Sequence, residues 1–303
     1  MSFVQLDNVN IHYQQQGSGD TAIIFIHGNF GSWRHWLPCL NDLPSNYIAY
    51  APELRGCGDT QATDDGYNIE TMADDILQFA NRLNIDAFHL VGHSLGGAVA
   101  QELASLAGNR IITLTLVAPA PAEGMPSLQK ISTKESPFSA RNIWQFFDNI
   151  GLRKKIHRAS FKKTMPSLRN NKAYLEMIVE DALKMDIKAF DGFLKTLKAW
   201  NGIRHLTGFQ FPVLIMHGQL DSVIPLQPLK NMQQRISDCQ FHTFTNIGHS
   251  PPLESPGTFN RLLFAFLKGT HRIPSDISTQ PIVKIGIIKS ITTKLKSIFK
   301  KTS

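Results

Sequence analysis

Cysteine is scarce in this chain: Cys39, Cys57 and Cys239 are the only three in 303 residues, far apart and with no CxxC pair. So odd and scattered a set excludes a disulfide frame or a thiolate zinc site, and points to reduced thiols in a cytosol-like compartment. Long apolar runs are missing as well, since none nears the roughly 18 residues that span a bilayer. The start, MSFVQLDNVNIHYQQQ, has neither the basic beginning nor the apolar stretch of a secretory signal. No HExxH, no phosphate-binding GxxxxGK[ST] and no strand-bound GxGxxG occurs, so no metal or organic cofactor is implied. What is present, 42% hydrophobic and 18% charged residues, suits a globular protein with a full-sized core.

The formal charge of +7 is unevenly placed. Residues 120–208 carry 16 lysines and arginines against 8 acids, and residues 270–303 carry 7 against 1. The remainder is net acidic, with 8 basic residues against 15 acidic ones. Basic character therefore belongs to a middle segment and a tail. With no recognised nucleic-acid-binding fold around those charges, a nucleic-acid partner is not expected.

Along the chain, FVQL and NIHYQQQ read as a hairpin with alternating character. Then TAIIFIHG, NYIAYAPE, AFHLVGHS and RIITLTLVAPA recur as apolar, β-branched runs of strand length. Such runs suit strands buried on both faces of a parallel sheet. Helical segments alternate with them: SWRHWLPCLNDL, IETMADDILQFANRLN and SLGGAVAQELASLA. The alternation gives an α/β doubly wound plan. It stops after residue 119, gives way to a lysine- and arginine-rich helical stretch, and resumes with FPVLIMHG. The middle stretch reads as an insertion into an otherwise continuous sheet.

GHSLG, residues 92–96, fits G-x-S-x-G. The pattern alone is weak, but here it follows an apolar strand and opens a helix. That is the setting of a nucleophile elbow, in which a strained turn lifts the serine Oγ out of the sheet. The bland alternative is a serine capping the helix after a glycine bend. A serine needs an oriented base, and two later residues suit the task. Asp221 falls just past the strand PVLIMHG, and His249 falls in the loop after HTFTN. Both lie at C-terminal strand ends, where open α/β sheets form their ligand crevice. The N–H of Leu95, and that of Asn29 or Phe30 in the loop FIHGNFGSW, are candidate oxyanion donors.

The set HGNFGS, RGCGDT, GHSLGG, GQLD and GHSP resembles the cap-bearing branch of the α/β-hydrolase superfamily over residues 3–269. The resemblance implies an eight-stranded, mostly parallel sheet with helices on both faces and a helical cap inserted after the sixth strand. With the break in strand–helix alternation it gives a hydrolase core at 1–119 and 209–269 and a cap at 120–208, and the basic amphipathic stretch makes a tail of 270–303. The resemblance also implies a triad of Ser94 as nucleophile, Asp221 as acid and His249 as base, with Asn29 and Leu95 holding the oxyanion. Dehalogenases and epoxide hydrolases of the superfamily use aspartate where this chain has Ser94, which speaks against both. The expected activity is hydrolysis of an ester, thioester or related acyl bond in a small or lipid-like substrate. Carbon–carbon bond hydrolysis of diketones, acyl transfer, and a non-catalytic receptor on the same fold stay open.

Substrate choice should come from the cap, where Trp144, Phe146, Phe147, Phe161, Met165, Met177, Phe190, Phe193 and Trp200 compete between lining a pocket and gluing cap to core. Trp144, Phe147, Phe193 and Trp200 are taken as the lining. Cys57 reads as a passive loop cysteine. Residues 285–301, wound as a helix, place isoleucines, Leu295 and Phe299 on one face and five lysines on the other. Such a helix binds a membrane surface or a partner, packs on the acidic body, or is a disordered end. The oligomeric state is not legible.

Overall fold

Eight strands line up in the order β1-β2-β4-β3-β5-β6-β7-β8. They are β1 (Ser2–Gln5), β2 (Asn10–Gly17), β3 (Thr21–Ile26), β4 (Tyr47–Pro52), β5 (Phe88–His93), β6 (Ile111–Val117), β7 (Val213–Gly218) and β8 (Cys239–Phe244). These come from a computed structural model that describes residues 2–125, 128 and 140–269. The basic amphipathic stretch 285–301 lies outside the described residues. Only β2 runs antiparallel to its neighbours β1 and β4; every pairing from β4 to β8 is parallel. β5 and β7 are buried at every position, as the continuous apolar runs require.

The helices are α1 (Leu37–Asn41), α2 (Ile69–Arg82), α3 (Leu95–Ala107), α4 (Ala140–Asn149), α5 (Arg153–Thr164), α6 (Lys172–Lys184), α7 (Ile187–Ala199), α8 (Ile203–Leu206), α9 (Leu226–Arg235), α10 (Pro251–Glu254) and α11 (Pro256–Leu267). α4 to α8 fall between β6 and β7, in the basic part of the chain. None of the described helices is long and apolar enough to cross a membrane. SWRHWLPCLNDL, expected as one helix, divides into a 3-10 turn, Trp33–Trp36, and the short α1. Ser32 caps the turn by accepting the Arg34 N–H, and Pro38 sits in the first turn of α1, where its missing N–H is harmless. Pro256 likewise opens α11 after α10 has ended at Glu254.

Two points of this framework set up the site. The strand ends of β3, β5, β7 and β8 all point to one edge, and α3 starts directly at the end of β5. α3 also lies hard against β3: a Cβ on Gly96 would stand 2.3 Å from the His27 carbonyl oxygen and 2.5 Å from that of Ile26. Glycine is what lets this helix start so close to the strand.

Candidate active site

Ser94 is the first residue after β5 and has φ 54°, ψ −118°. A left-handed φ is costly for a non-glycine residue and persists only where its surroundings impose it. Here the backbone is pinned on both sides: the Ser94 N–H donates to Val117 O at 3.1 Å, and Ser94 O accepts from Gly97 and Ala120, both at 2.9 Å. Although Ser94 stands at the N-cap of α3, its hydroxyl caps nothing. Its Oγ lies 3.1 Å from His249 Nε2.

His249 follows β8 in the turn before α10, and its side chain is held from behind. Its Nδ1 lies 2.8 Å from Asp221 Oδ2. Asp221 sits past the end of β7 with no exposed side-chain surface. Its other oxygen, Oδ1, accepts the N–H groups of Val223 at 2.7 Å and Ile224 at 3.1 Å. Burial acts to raise the Asp221 carboxyl, but the adjacent His249 ring and these hydrogen bonds bring it below the usual carboxylate range. An ionised Asp221 accepts a proton-bearing Nδ1, which leaves the Nε2 lone pair facing Ser94.

The His249 backbone is clamped as well. Its N–H donates to Thr164 O at the end of α5, at 2.9 Å. Its carbonyl accepts from His93 Nε2, also at 2.9 Å. His93 therefore carries its proton on Nε2. Its Nδ1 is buried without a partner among the described residues, and burial with the neighbouring His249 pushes this imidazole down to about 3. His35 stacks on His93 with ring centroids 4.3 Å apart and is held neutral by burial and by the histidines around it.

The loop after β3 covers the serine. A Cβ on Gly28 would lie 2.9 Å from Ser94 Cβ and 2.7 Å from His93 Nδ1, so the peptide after Gly28 passes directly over the turn. His27 fixes that loop: its Nε2 accepts the Leu54 N–H at 3.0 Å and its Nδ1 donates to Gly28 O at 2.8 Å. The N–H groups of Asn29, Phe30 and Leu95 meet no acceptor among the described residues. Phe30 has φ 62°, which turns its ring onto Trp144, 5.3 Å away and nearly parallel.

Above Ser94 is a cavity of about 190 Å³ shared by the core and the segment between β6 and β7. Its floor is Asn29, Phe30, His35, His93, Ser94 and His249. Its roof includes Phe161, Met165, Ile178, Asp181, Leu194 and Leu197. Of the bulky candidates read from the sequence, Phe161 and Met165 line it. Trp144, Phe147, Phe193 and Trp200 do not. Trp144 stacks between Phe30 and Phe190, and Phe147 packs on Phe146 near the surface. Phe193 is fully buried against Tyr67. Trp200 stacks on His205 and borders a separate open groove of about 600 Å³ that none of Ser94, Asp221 or His249 reaches. Phe193 and Trp200 are buried in the hydrophobic core cluster.

Sequence reasoning missed Asp181 and its partner Arg34. Arg34 Nε donates to Asp181 Oδ1 at 2.7 Å and Nη2 donates to the same oxygen. Burial outweighs this pairing and lifts the Asp181 carboxyl above its ordinary value. A signal existed: Asp181 stands three residues after Ile178 and six after Leu175, on the buried stripe of α6. His35 gave none. Among the described residues, one group has metal-ligand atoms within 4.8 Å of one another, His12, Glu53 and Asp59. Glu53 is already occupied by the His12 ring at 2.9 Å and the Asp59 N–H at 2.7 Å, so the group braces the loop after β4. Cys57 is buried, which drives its thiol well above the ordinary value and leaves it unreactive.

Comparison with known proteins agrees with the fold. The family model of the alpha/beta hydrolase fold matches residues 21–256. Among curated relatives, a dihydrolipoyllysine-residue acetyltransferase component of an acetoin cleaving system from Cupriavidus necator is 35% identical over 117 residues. That match covers 39% of this chain and only 31% of the relative. A non-heme chloroperoxidase of Kitasatospora aureofaciens is 26% identical over 285 residues, covering 86% of this chain and 97% of that one. Among solved structures, a thermophilic esterase from Thermogutta terrifontis superposes with a TM-score of 0.78 at 21% identity, over 90% of this chain and all of that one.

Proposed function

The chain belongs to the alpha/beta hydrolase family of enzymes, and from that premise we propose that it is a serine hydrolase of ester, thioester or related acyl bonds. The observation that carries the reading is one relay: Asp221 Oδ2 to His249 Nδ1 at 2.8 Å, and His249 Nε2 to Ser94 Oγ at 3.1 Å.

In this reading Ser94 Oγ attacks the acyl carbonyl while His249 Nε2 takes its proton. Asp221 stabilises the imidazolium and fixes the ring's tautomer. The carbonyl oxygen, now negative, is received by the Asn29 and Leu95 N–H groups, which have no other acceptor among the described residues. Collapse of the tetrahedral intermediate breaks the bond to the leaving oxygen or sulfur, which takes the proton from His249. Water then adds to the acyl-enzyme by the same relay, and the acid departs. The cavity above Ser94 is mostly apolar, which suits an acyl chain in place of a charged one.

The test is hydrolysis of p-nitrophenyl esters of increasing chain length by the full chain, with Ser94→Ala as control. The expected result is turnover with a chain-length optimum, abolished by the substitution. Absence of Ser94-dependent turnover on any ester or thioester overturns the reading. Added alcohol in the same assay separates hydrolysis from acyl transfer, since transfer diverts the acyl group into a new ester.

A further inference from the structure

Ten large apolar side chains stand exposed among the described residues, and five of them crowd into residues 143–156. They are Ile143, Phe146, Ile150, Leu152 and Ile156, each between 38% and 58% exposed. The other five are scattered along the chain, as single surface residues commonly are. Ile143, Phe146 and Ile150 keep the i, i+3, i+7 spacing of one helix face along α4 and its last turn, where the Ile150 N–H donates to Phe146 O. Leu152 and Ile156 lie one turn apart at the start of α5, on the side opposite the buried Phe161. The two stripes join at the corner between the helices.

The other sides of α4 and α5 face inward. Trp144 of α4 stacks on Phe30 and meets His157 of α5 edge-on. Ser160, Phe161 and Thr164 of α5 line the cavity that holds Ser94. One pair of helices thus walls the cavity on its inner side and shows water a continuous apolar stripe on its outer side. A cluster of this kind on a water-soluble surface marks a place of contact. Its surroundings say with what. Residues 140–165 carry seven lysines and arginines and one acid, Asp148, and Asp148 is already taken by Arg153 at 3.1 Å. Lys155 and Lys163 are exposed and fall on the same side of α5 as Leu152 and Ile156.

We propose that the outer side of α4 and α5 docks on an anionic lipid surface, with the apolar stripe in the headgroup layer and the lysines on the lipid phosphates and carboxylates. Lysine is depleted at protein interfaces, but on a bilayer its stem covers apolar surface while its ammonium reaches the headgroups. A second copy of this chain would bring the same positive charge and be repelled. The docked helices leave the cavity about one helix diameter, ~10 Å, from the lipid, so an acyl ester enters from the bilayer. That delivery rests on the hydrolase reading; the docking does not. Residues 285–301 read as a second basic amphipathic surface, and attachment through two weak surfaces is lost when either goes.

The experiment sediments the full chain with phosphatidylcholine vesicles, with and without phosphatidylserine. Binding is expected to the anionic vesicles alone and should weaken with salt. Phe146→Ser with Ile150→Ser, and separately Lys155→Glu with Lys163→Glu, should each lower the partition coefficient by about tenfold or more at an unchanged melting temperature. Leu226→Ser removes an exposed apolar side chain from α9 and should leave binding as it is. The docking is overturned if the wild type binds no anionic vesicle, which leaves an acidic protein as the occupant, or if both double variants bind as the wild type does. It is also overturned if Phe146→Ser with Ile150→Ser lowers the melting temperature and spares binding, since the stripe then packs within its own chain. Loss of a dimer in sedimentation velocity with vesicle binding spared overturns it in favour of a second copy. Docking that follows these variants while no p-nitrophenyl ester is turned over retains the surface and discards the hydrolase reading; turnover with no docking does the reverse.

Discussion

Replacing Asp221 by asparagine changes one atom and should silence the site through a tautomer. Asp221 Oδ1 accepts two backbone N–H groups, from Val223 and Ile224, while Oδ2 faces His249 Nδ1. In Asp221→Asn the amide oxygen remains with the two N–H donors. The opposite orientation sets an NH₂ against two buried donors and leaves them unsatisfied, at roughly 1–3 kcal/mol each, or about 2–6 kcal/mol together. At ~1.4 kcal/mol per factor of ten, the wrong-way amide is populated between about 1 in 30 and 1 in 10⁴. The favoured orientation presents N–H to His249 Nδ1, so the ring must carry its own proton on Nε2. That nitrogen then faces Ser94 as a donor and cannot take the serine proton. Loss of the carboxylate charge opposite the imidazolium adds to the defect. The expected outcome is a fall in kcat of about 10³ to 10⁴ with KM nearly unchanged. Initial rates on a p-nitrophenyl ester and the rate of fluorophosphonate labelling read it, with thermal unfolding as the check on the fold. A folded Asp221→Asn within tenfold of wild type in both assays refutes the tautomer argument.

Four further outcomes follow from the same framework. Burial holds His93 down to about 3 and His89 down to about 4, so between about pH 6.5 and those values the unfolded chain takes up protons that the fold refuses, and stability falls as pH drops. From pH 7.5 to 5 His89 alone should contribute a loss of about 2 kcal/mol, and urea unfolding of His89→Gln at the two pH values should show a loss smaller by that amount. Gly96→Ala sets a Cβ 2.3 Å from the His27 carbonyl oxygen, so it should cost at least about 3 kcal/mol and lower both melting temperature and labelling of Ser94. Leu197→Phe, in the roof of the cavity, should move the ester optimum to shorter acyl chains without slowing labelling by a small fluorophosphonate; an unmoved optimum places the acyl chain elsewhere. Truncation after Gly269 removes the basic amphipathic residues 285–301 and should abolish any sedimentation with anionic vesicles; equal sedimentation of both forms denies the tail that role.

The plan of the sheet was legible because its central strands are buried on both faces, and burial of that kind writes itself into the sequence as unbroken apolar runs such as AIIFI and VLIMHG. Ser94 was legible as a candidate because it directly follows such a run, and Asp221 because it comes three residues after another; His249 follows the half-buried, partly polar β8 by five residues and was marked by its place in the loop before the last helix. The cavity roof was not. Periodicity marks α5, α6 and α7 as helices with apolar stripes, but which part of a stripe meets the core and which meets the cavity depends on how the helices dock. Hence Phe193 and Trp200, the bulkier choices, went to packing, while Ile178 and Leu194 took the lining. Asp181 was legible in principle as an acid on an apolar stripe. Its meaning lies in Arg34, 147 residues earlier. No spacing rule encodes that.

The most direct measurement is intact-protein and peptide mass spectrometry of the acyl-enzyme, trapped by acid quench after mixing the full chain with a p-nitrophenyl ester. The account predicts a single acyl adduct on the peptide that contains Ser94, formed before steady turnover, absent in Ser94→Ala and formed far more slowly in His249→Ala. An adduct on another residue, or ester turnover that persists in Ser94→Ala, contradicts it.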